Sequence, residues 1–164
     1  VGRPDDVGYP VRGIISDGFL YLRNFKPNRW PKGNPETGYL NCDGSPTKTY
    51  ILNTRRNKEI MEFWQLNFGK RPAEELYDIE TDPFCMNNLA QKENYAALKT
   101  NLEEKMTQQL KEQNDPRIMG NGDIFDNYEY SGGVRNYYNR YMSGENVPAG
   151  WVNKTDYDTY LKEE

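Results

Sequence analysis

The sequence predicts an α+β domain: a small antiparallel sheet with one long helix packed on it, a long irregular loop and a tyrosine-rich tail. Three observations predict this. Asp17-Gly18 stands between two β-rich runs, 11–16 and 19–25. A two-residue hairpin turn needs positive φ at both positions, and Asp-Gly accepts it readily. Leu76, Tyr77 and Ile79 are β-formers beside acidic residues and give a third strand over 75–79. Tyr95, Leu98, Leu102, Met106 and Leu110 recur at helical spacing among Lys, Glu and Gln. They predict a helix over 91–113 whose apolar stripe (Leu98, Leu102, Met106) packs on one face of the sheet.

Taken in order, residues 1–9 form a loop by their Gly, Pro and Asp content. Pro10 opens the first strand, where its missing N–H does least harm. The second strand puts Phe19, Tyr21, Arg23 and Phe25 on one face and Leu20, Leu22 and Asn24 on the other. Both faces carry apolar groups, so both are expected to be covered. Residues 26–50 are irregular, broken by Pro27, Pro31, Pro35 and Pro46. A loop this long inside a domain is expected to be functional or to wrap a partner.

Ile60, Phe63, Trp64 and Phe68 predict a helix over 54–68 that stops at Gly69, with Phe63 and Trp64 in the core. Thr81-Asp82-Pro83 breaks the third strand, and Asn87 and Asn88 are candidate caps for the long helix. Asn114-Asp115-Pro116 ends that helix. Beyond it the chain holds Tyr128, Tyr130, Tyr137, Tyr138, Tyr141, Tyr157 and Tyr160. Short helices are expected near 134–141 and over 156–162. The domain division read from this is 1–130 with an extension over 131–164.

Composition narrows the function. Only 35% of the 164 residues are hydrophobic, and 13 Tyr outnumber 6 Phe and 3 Trp. Tyrosine buries its ring and keeps its hydroxyl wet, so a thin core and an aromatic, polar surface are expected. Such a surface suits carbohydrate or a covering partner. The net charge is −4 and the basic residues form isolated pairs such as Arg55-Arg56 and Lys70-Arg71. That excludes nucleic acid as the main partner, because neutralising phosphates takes a clustered positive face. No apolar run approaches the roughly 20 residues of a membrane span, so no membrane partner is expected. The chain has no histidine, which removes the commonest general base, the commonest metal ligand and every Ser-His or Cys-His pair. Cys42 and Cys85 make no metal site, and a disulfide and free thiols both remain open. The chain begins at Val1, inside loop-like sequence, and is expected to be a piece of a longer protein.

Several stretches, taken in order, resemble one family. Gly8-Tyr9-Pro10-Val11-Arg12 leads into a hairpin ending Tyr21-Leu22-Arg23-Asn24-Phe25. Arg29-Trp30-Pro31, Ser45-Pro46-Thr47-Lys48 and Phe68-Gly69-Lys70-Arg71-Pro72-Ala73-Glu74-Glu75-Leu76-Tyr77-Asp78 follow. Then come Asp82-Pro83, Asn88-Leu89-Ala90, Asp115-Pro116-Arg117 and Gly122-Asp123-Ile124-Phe125-Asp126. This series resembles the C-terminal domain of sulfatases, members of the alkaline-phosphatase-like superfamily, and most of all the bacterial N-sulfoglucosamine sulfohydrolases, the heparan N-sulfatases.

The resemblance implies a parent enzyme that hydrolyses sulfate esters or sulfamates on a sulfated glycan of heparan type. It implies a periplasmic or secreted location. It also implies a formylglycine and a calcium ion in an N-terminal catalytic domain that is this chain's own partner. Formylglycine is made from the first residue of Cys/Ser-x-Pro-x-Arg. Cys42-Asp43-Gly44 and Cys85-Met86-Asn87 do not carry that motif. No catalytic residue, metal ligand or cofactor site is therefore expected in this chain, and taken alone it is expected to be inactive. The resemblance places the start of this domain beside the active-site mouth. Arg3, Asp5, Asp6 and Arg12 are thus candidates for contact with a sulfated, carboxylated sugar. Arg12 has an equal claim as a structural ion pair with an acid of the large domain. Arg23 and Arg29 are expected as surface or interdomain charges. A non-catalytic carbohydrate-binding or structural interaction domain is the alternative.

Overall fold

The computed structural model describes residues 2–158. In chain order the main elements are β1 (Val11–Ser16), β2 (Phe19–Asn24), α1 (Pro46–Thr54), α2 (Met61–Phe68), β3 (Glu74–Asp78), α3 (Ala96–Glu112) and α4 (Tyr137–Met142). The fold is mixed α/β, with a small three-stranded antiparallel sheet and several helices. Internal contacts divide it into two units. One comprises Val1–Tyr9, Asn28–Arg71 and Phe125–Glu164; the other comprises Pro10–Pro27 and Pro72–Ile124. No helix among the described residues is long and apolar enough to cross a membrane.

The second unit contains the sheet, in the order β1-β2-β3. Ser16 faces Phe19 across the turn, and Asp17 and Gly18 have φ of 53° and 78°. Both turn positions are left-handed, as a primed two-residue turn requires. A Cβ on Gly18 would also lie 2.9 Å from the Glu80 side chain. Tyr21 pairs with Ile14 on one side and Leu76 on the other. Tyr21 and Leu76 are fully buried and meet Leu89, Ala90, Leu102 and Met106 to form this unit's core. Leu102 and Met106 come from α3, so the helical stripe is the core face that its spacing predicts. The Tyr21 hydroxyl donates to Glu74 at 2.8 Å, and Lys99 donates to the other Glu74 oxygen at 2.7 Å. A buried ring thereby keeps its polar end satisfied.

Two details differ from the sequence expectations here. Asn87 and Asn88 do not cap the long helix, which begins at Ala96 after a 3-10 turn over Glu93–Tyr95. Asn88 seals the outer edge of β3 instead. Its Oδ1 accepts from the Leu76 and Ala90 amides, and its Nδ2 donates to the Glu74 carbonyl. Asp82 closes the preceding turn by accepting from the Met86 and Asn87 amides.

The first unit is held by two apolar clusters. Tyr39, Trp64 and Phe68 form one; Leu40, Tyr137, Val147 and Val152 form the other. The helix expected over 54–68 is in fact two, α1 ending at Thr54 and α2 starting at Met61. Asn57 breaks it: its amide bonds back to Thr54 and its side chain accepts from the Glu59 amide, which takes the backbone out of the helical ladder. α1 begins inside the stretch expected to be irregular. Ser45 caps it by accepting from the Lys48 amide, and Pro46 occupies its first turn. Trp64 is buried, whereas Phe63 is 49% exposed and leaves the core expected for it. In the tail the first expected helix is α4. The second, expected over 156–162, is not formed where the structure describes it: a 3-10 turn over Lys154–Asp156 ends at Asp156, Tyr157 is extended, Asp158 is not helical, and 159–162 lie outside the described residues. Cys42 and Cys85 are free thiols.

Candidate functional site

The loop of residues 2–9 is set by Gly2 and Arg3. Gly2 has a φ of 75°, and a Cβ there would lie 2.6 Å from Leu40 Cβ. Arg3 follows, buried to 4% exposure. Its Nε donates to the Trp30 carbonyl at 2.7 Å, Nη2 to the Pro31 carbonyl at 2.7 Å and Nη1 to the Val7 carbonyl at 3.2 Å. The guanidinium also lies over the Tyr9 ring. Burial, and then the charge of Arg29, lower its pKa against an opposing effect of Tyr9. Arg3 thus braces the loop through backbone carbonyls.

Asp5 and Asp6 both adopt left-handed φ, 54° and 52°. Asparagines around α4 hold this turn. Asn139 Nδ2 donates to Asp5 Oδ1 at 2.7 Å, and the Asp5 amide donates to Asn139 Oδ1 at 3.1 Å. The Asn136 amide donates to Asp6 Oδ2, while Asp6 Oδ1 is buried without a hydrogen-bond partner among the described residues. Asp5 stays exposed, so its carboxylate is presented at the surface.

Arg12 stands on β1 in the sheet unit. Its Nε and Nη2 both donate to Asp115 Oδ2, at 2.8 and 2.6 Å, and Nη1 donates to the Val11 carbonyl at 3.1 Å. These bonds use three of the five N–H donors of a guanidinium, and two are without an acceptor among the described residues. The acid that meets Arg12 therefore belongs to this chain. Burial alone would raise the Asp115 carboxyl; the Arg12 hydrogen bonds and the Arg117 amide outweigh it and hold the group below the usual carboxylate range. Arg23 pairs with Glu103 in the same unit at 2.7 Å, a partly exposed pair. Arg29, in the first unit (the loop unit, which lacks the sheet), makes a bidentate pair with Asp126 at 3.0 and 2.7 Å.

Arg3, Asp5 and Asp6 thus share one loop of one unit, and Arg12 belongs to the other. Among the described residues no group of three or more His, Cys, Asp or Glu is placed to hold a metal ion. One site feature was not singled out from sequence. Tyr137, Tyr141 and Tyr157 gather around an open cleft of about 600 Å³ in the loop unit. The signal available in sequence was the Tyr137/Tyr141 pair, which shares a helix face at i, i+4.

No family model matches this chain. It is 30% identical over 107 residues to an ulvan-active sulfatase from Formosa agariphila. That match covers 65% of this chain and 18% of the length of the relative. The likeness supports a relationship to the sulfatase family as a whole, and does not single out the N-sulfoglucosamine branch.

Proposed function

We propose that this chain is the C-terminal part of a sulfatase and completes the glycan site of a formylglycine- and calcium-bearing catalytic domain on the same protein. The observation that carries the reading is the likeness to a sulfatase of which the chain spans only 18%. The residues present fit neither group: neither cysteine stands in Cys/Ser-x-Pro-x-Arg, and no described acidic cluster suits a cation. Both groups therefore fall to the catalytic domain, and the parent protein is exported to the periplasm or beyond. What this chain supplies is contact and orientation. Arg12 has two N–H donors left for a sulfate or carboxylate, on a strand that fixes its direction. Asp5 offers a surface carboxylate to sugar hydroxyls, and Arg3 and Asp6 hold its turn in place.

The substrate proposed is a sulfated glycan of heparan type, bearing N-sulfated glucosamine. An ulvan-type substrate is the second reading, favoured by what the relative acts on. The test uses the full-length protein: mass spectrometry for the formylglycine and sulfate release from both glycans. Sulfate release from the heparan-type sugar is expected. A full-length sequence without Cys/Ser-x-Pro-x-Arg, or no release from either glycan, overturns the reading.

A further inference from the structure

The tyrosine cleft of the loop unit has no part in the site above. Its floor is Tyr137, fully buried. Tyr141 stacks on it with ring centroids 6.0 Å apart and planes within 11°. Tyr157 leans against Tyr141 at 5.3 Å, and the Tyr137 and Tyr157 hydroxyls share a hydrogen bond of 2.8 Å. Burial, and then the bond to Tyr157, push the Tyr137 hydroxyl well up, and the hydrogen bond between the two hydroxyls fixes the rings relative to each other. Tyr141 and Tyr157 are themselves half-buried and offer ring surface to the cleft. The far wall carries the buried side chains of Val147 and Val152. That wall is tied down: the Gly44 amide donates to the Trp151 carbonyl, and the Trp151 indole donates to the Leu40 carbonyl at 3.0 Å. Among the described residues lining the cleft, Glu145 and Lys154 are the charged ones; Glu145 pairs with Arg140, which leaves Lys154 to set the sign of that lining.

A cleft of this size falls within the usual range for small-molecule sites, roughly 300–1,000 Å³. Fixed aromatic surface with a polar, cationic rim fits a molecule that has an apolar face, a ring of hydroxyls and an acidic substituent. We infer that this cleft binds one acidic sugar unit, stacked on Tyr141 and Tyr157, with its sulfate or carboxylate toward Lys154. The choice of a sugar rests on the sulfatase reading; the cleft itself does not.

The test is a titration of this chain, followed by amide NMR. The probes are an N-sulfated glucosamine–uronate disaccharide, its desulfated form and a sulfated ulvan oligosaccharide. Shifts are expected around Tyr141, Lys154 and Tyr157, with a sulfated sugar preferred. Tyr157→Ala should weaken binding about tenfold, which corresponds to about 1.4 kcal/mol. Tyr157→Phe should keep most of the affinity, and Lys154→Ala should abolish the preference for sulfate. Should Tyr157→Ala fail to fold, the wild-type shift map and the Lys154→Ala preference decide.

Shifts that avoid the cleft, or affinity indifferent to both Tyr141→Ala and Tyr157→Ala, overturn the proposal. So does binding that appears only once residues 159–164 are removed, since the chain's own end would then be the occupant. Sugar binding by the cleft, beside a full-length protein that releases no sulfate, would overturn the sulfatase reading and leave this one standing.

Discussion

Arg12 shows how one side chain can carry two roles, and how they separate experimentally. Its pair with Asp115 is partly buried, with side-chain exposures of 27% and 13%. Its two remaining donors are what the substrate reading uses. In the full-length protein of the proposed function, Arg12→Ala and Asp115→Asn both disturb the pair, but only Arg12→Ala removes the donors. Arg12→Ala should lower kcat/KM by about 1.5–3 kcal/mol, the range for a charge-assisted hydrogen bond, and Asp115→Asn by much less. Equal turnover per folded molecule in the two variants would make Arg12 a brace only. The pair also has a pH signature. Asp115 titrates below its ordinary value of 3.8, so its contribution is complete above that value and lost as pH falls through the lower, folded one. The gap in melting temperature between wild type and Asp115→Asn should hold from neutral pH to about pH 5 and shrink below about pH 4. A constant gap would mean that Asp115 acts through something other than its charge. Both roles of Arg12 were legible from sequence, but its partner was not, because 103 residues separate Arg12 from Asp115.

At the scale of elements, legibility followed how local the determining chemistry is. The Asp17-Gly18 hairpin and the stripe of α3 were readable because turn geometry and periodicity lie within a few residues. The start of α3 was not, since Asn88 is engaged by β3, a strand formed earlier in the chain. α1 was missed although Ser45-Pro46 marks its start; the surrounding prolines and glycines made the whole stretch look irregular. What holds α1 is also distant. Lys48 Nζ is buried, donates to the Gly38 and Cys42 carbonyls at 2.8 and 2.6 Å, and lies 3.7 Å from Asp156. Thr49 donates to the same carboxylate, and Arg55 pairs with Asp158. The segment 153–158 is thus strapped onto α1. Burial lowers the Lys48 pKa, against which Asp156 is the main opposing charge. Lys48→Met should leave Asp156 buried without its cation and cost about 3–5 kcal/mol, with faster amide exchange at Asp156. Denaturant melts and hydrogen exchange check this; an unchanged midpoint would show that the strap is held without the ion pair. In the sheet unit, Leu102→Ala removes a side chain that is 1% exposed and should cost about 2–5 kcal/mol in the same melts.

For the whole molecule, the chain weaves between its two units. The first takes three separate segments and the second two. Three of the crossing points fall at Pro10, Pro27 and Pro72. Those prolines were visible, but a proline marks many kinds of turn, and no change of composition accompanies the crossings. The first unit has two buried apolar clusters and the second has one, so the thin hydrophobic share of the sequence is divided among small cores, and Tyr21, Tyr39 and Tyr137 sit at 0% exposure within them. The tyrosines taken from sequence as surface dress are in part core, because their hydroxyls find Glu74, Trp64 and Tyr157. The candidate contacts that remain are an arginine with spare donors, an exposed aspartate and an aromatic cleft. The roles proposed for them are to bind and orient; none of the three is an activated nucleophile. Sulfate transfer to water needs a nucleophile and a proton acceptor held near it. Both cysteines lie outside the formylglycine motif, the chain contains no histidine, and burial, the largest influence on Cys85, raises its thiol pKa away from the reactive thiolate. The isolated chain should therefore release no sulfate from an aryl sulfate or from N-sulfoglucosamine, with or without added calcium. Release above a buffer blank, persisting in a Cys42→Ser/Cys85→Ser variant, would place chemistry in residues to which the proposed function gives only binding roles.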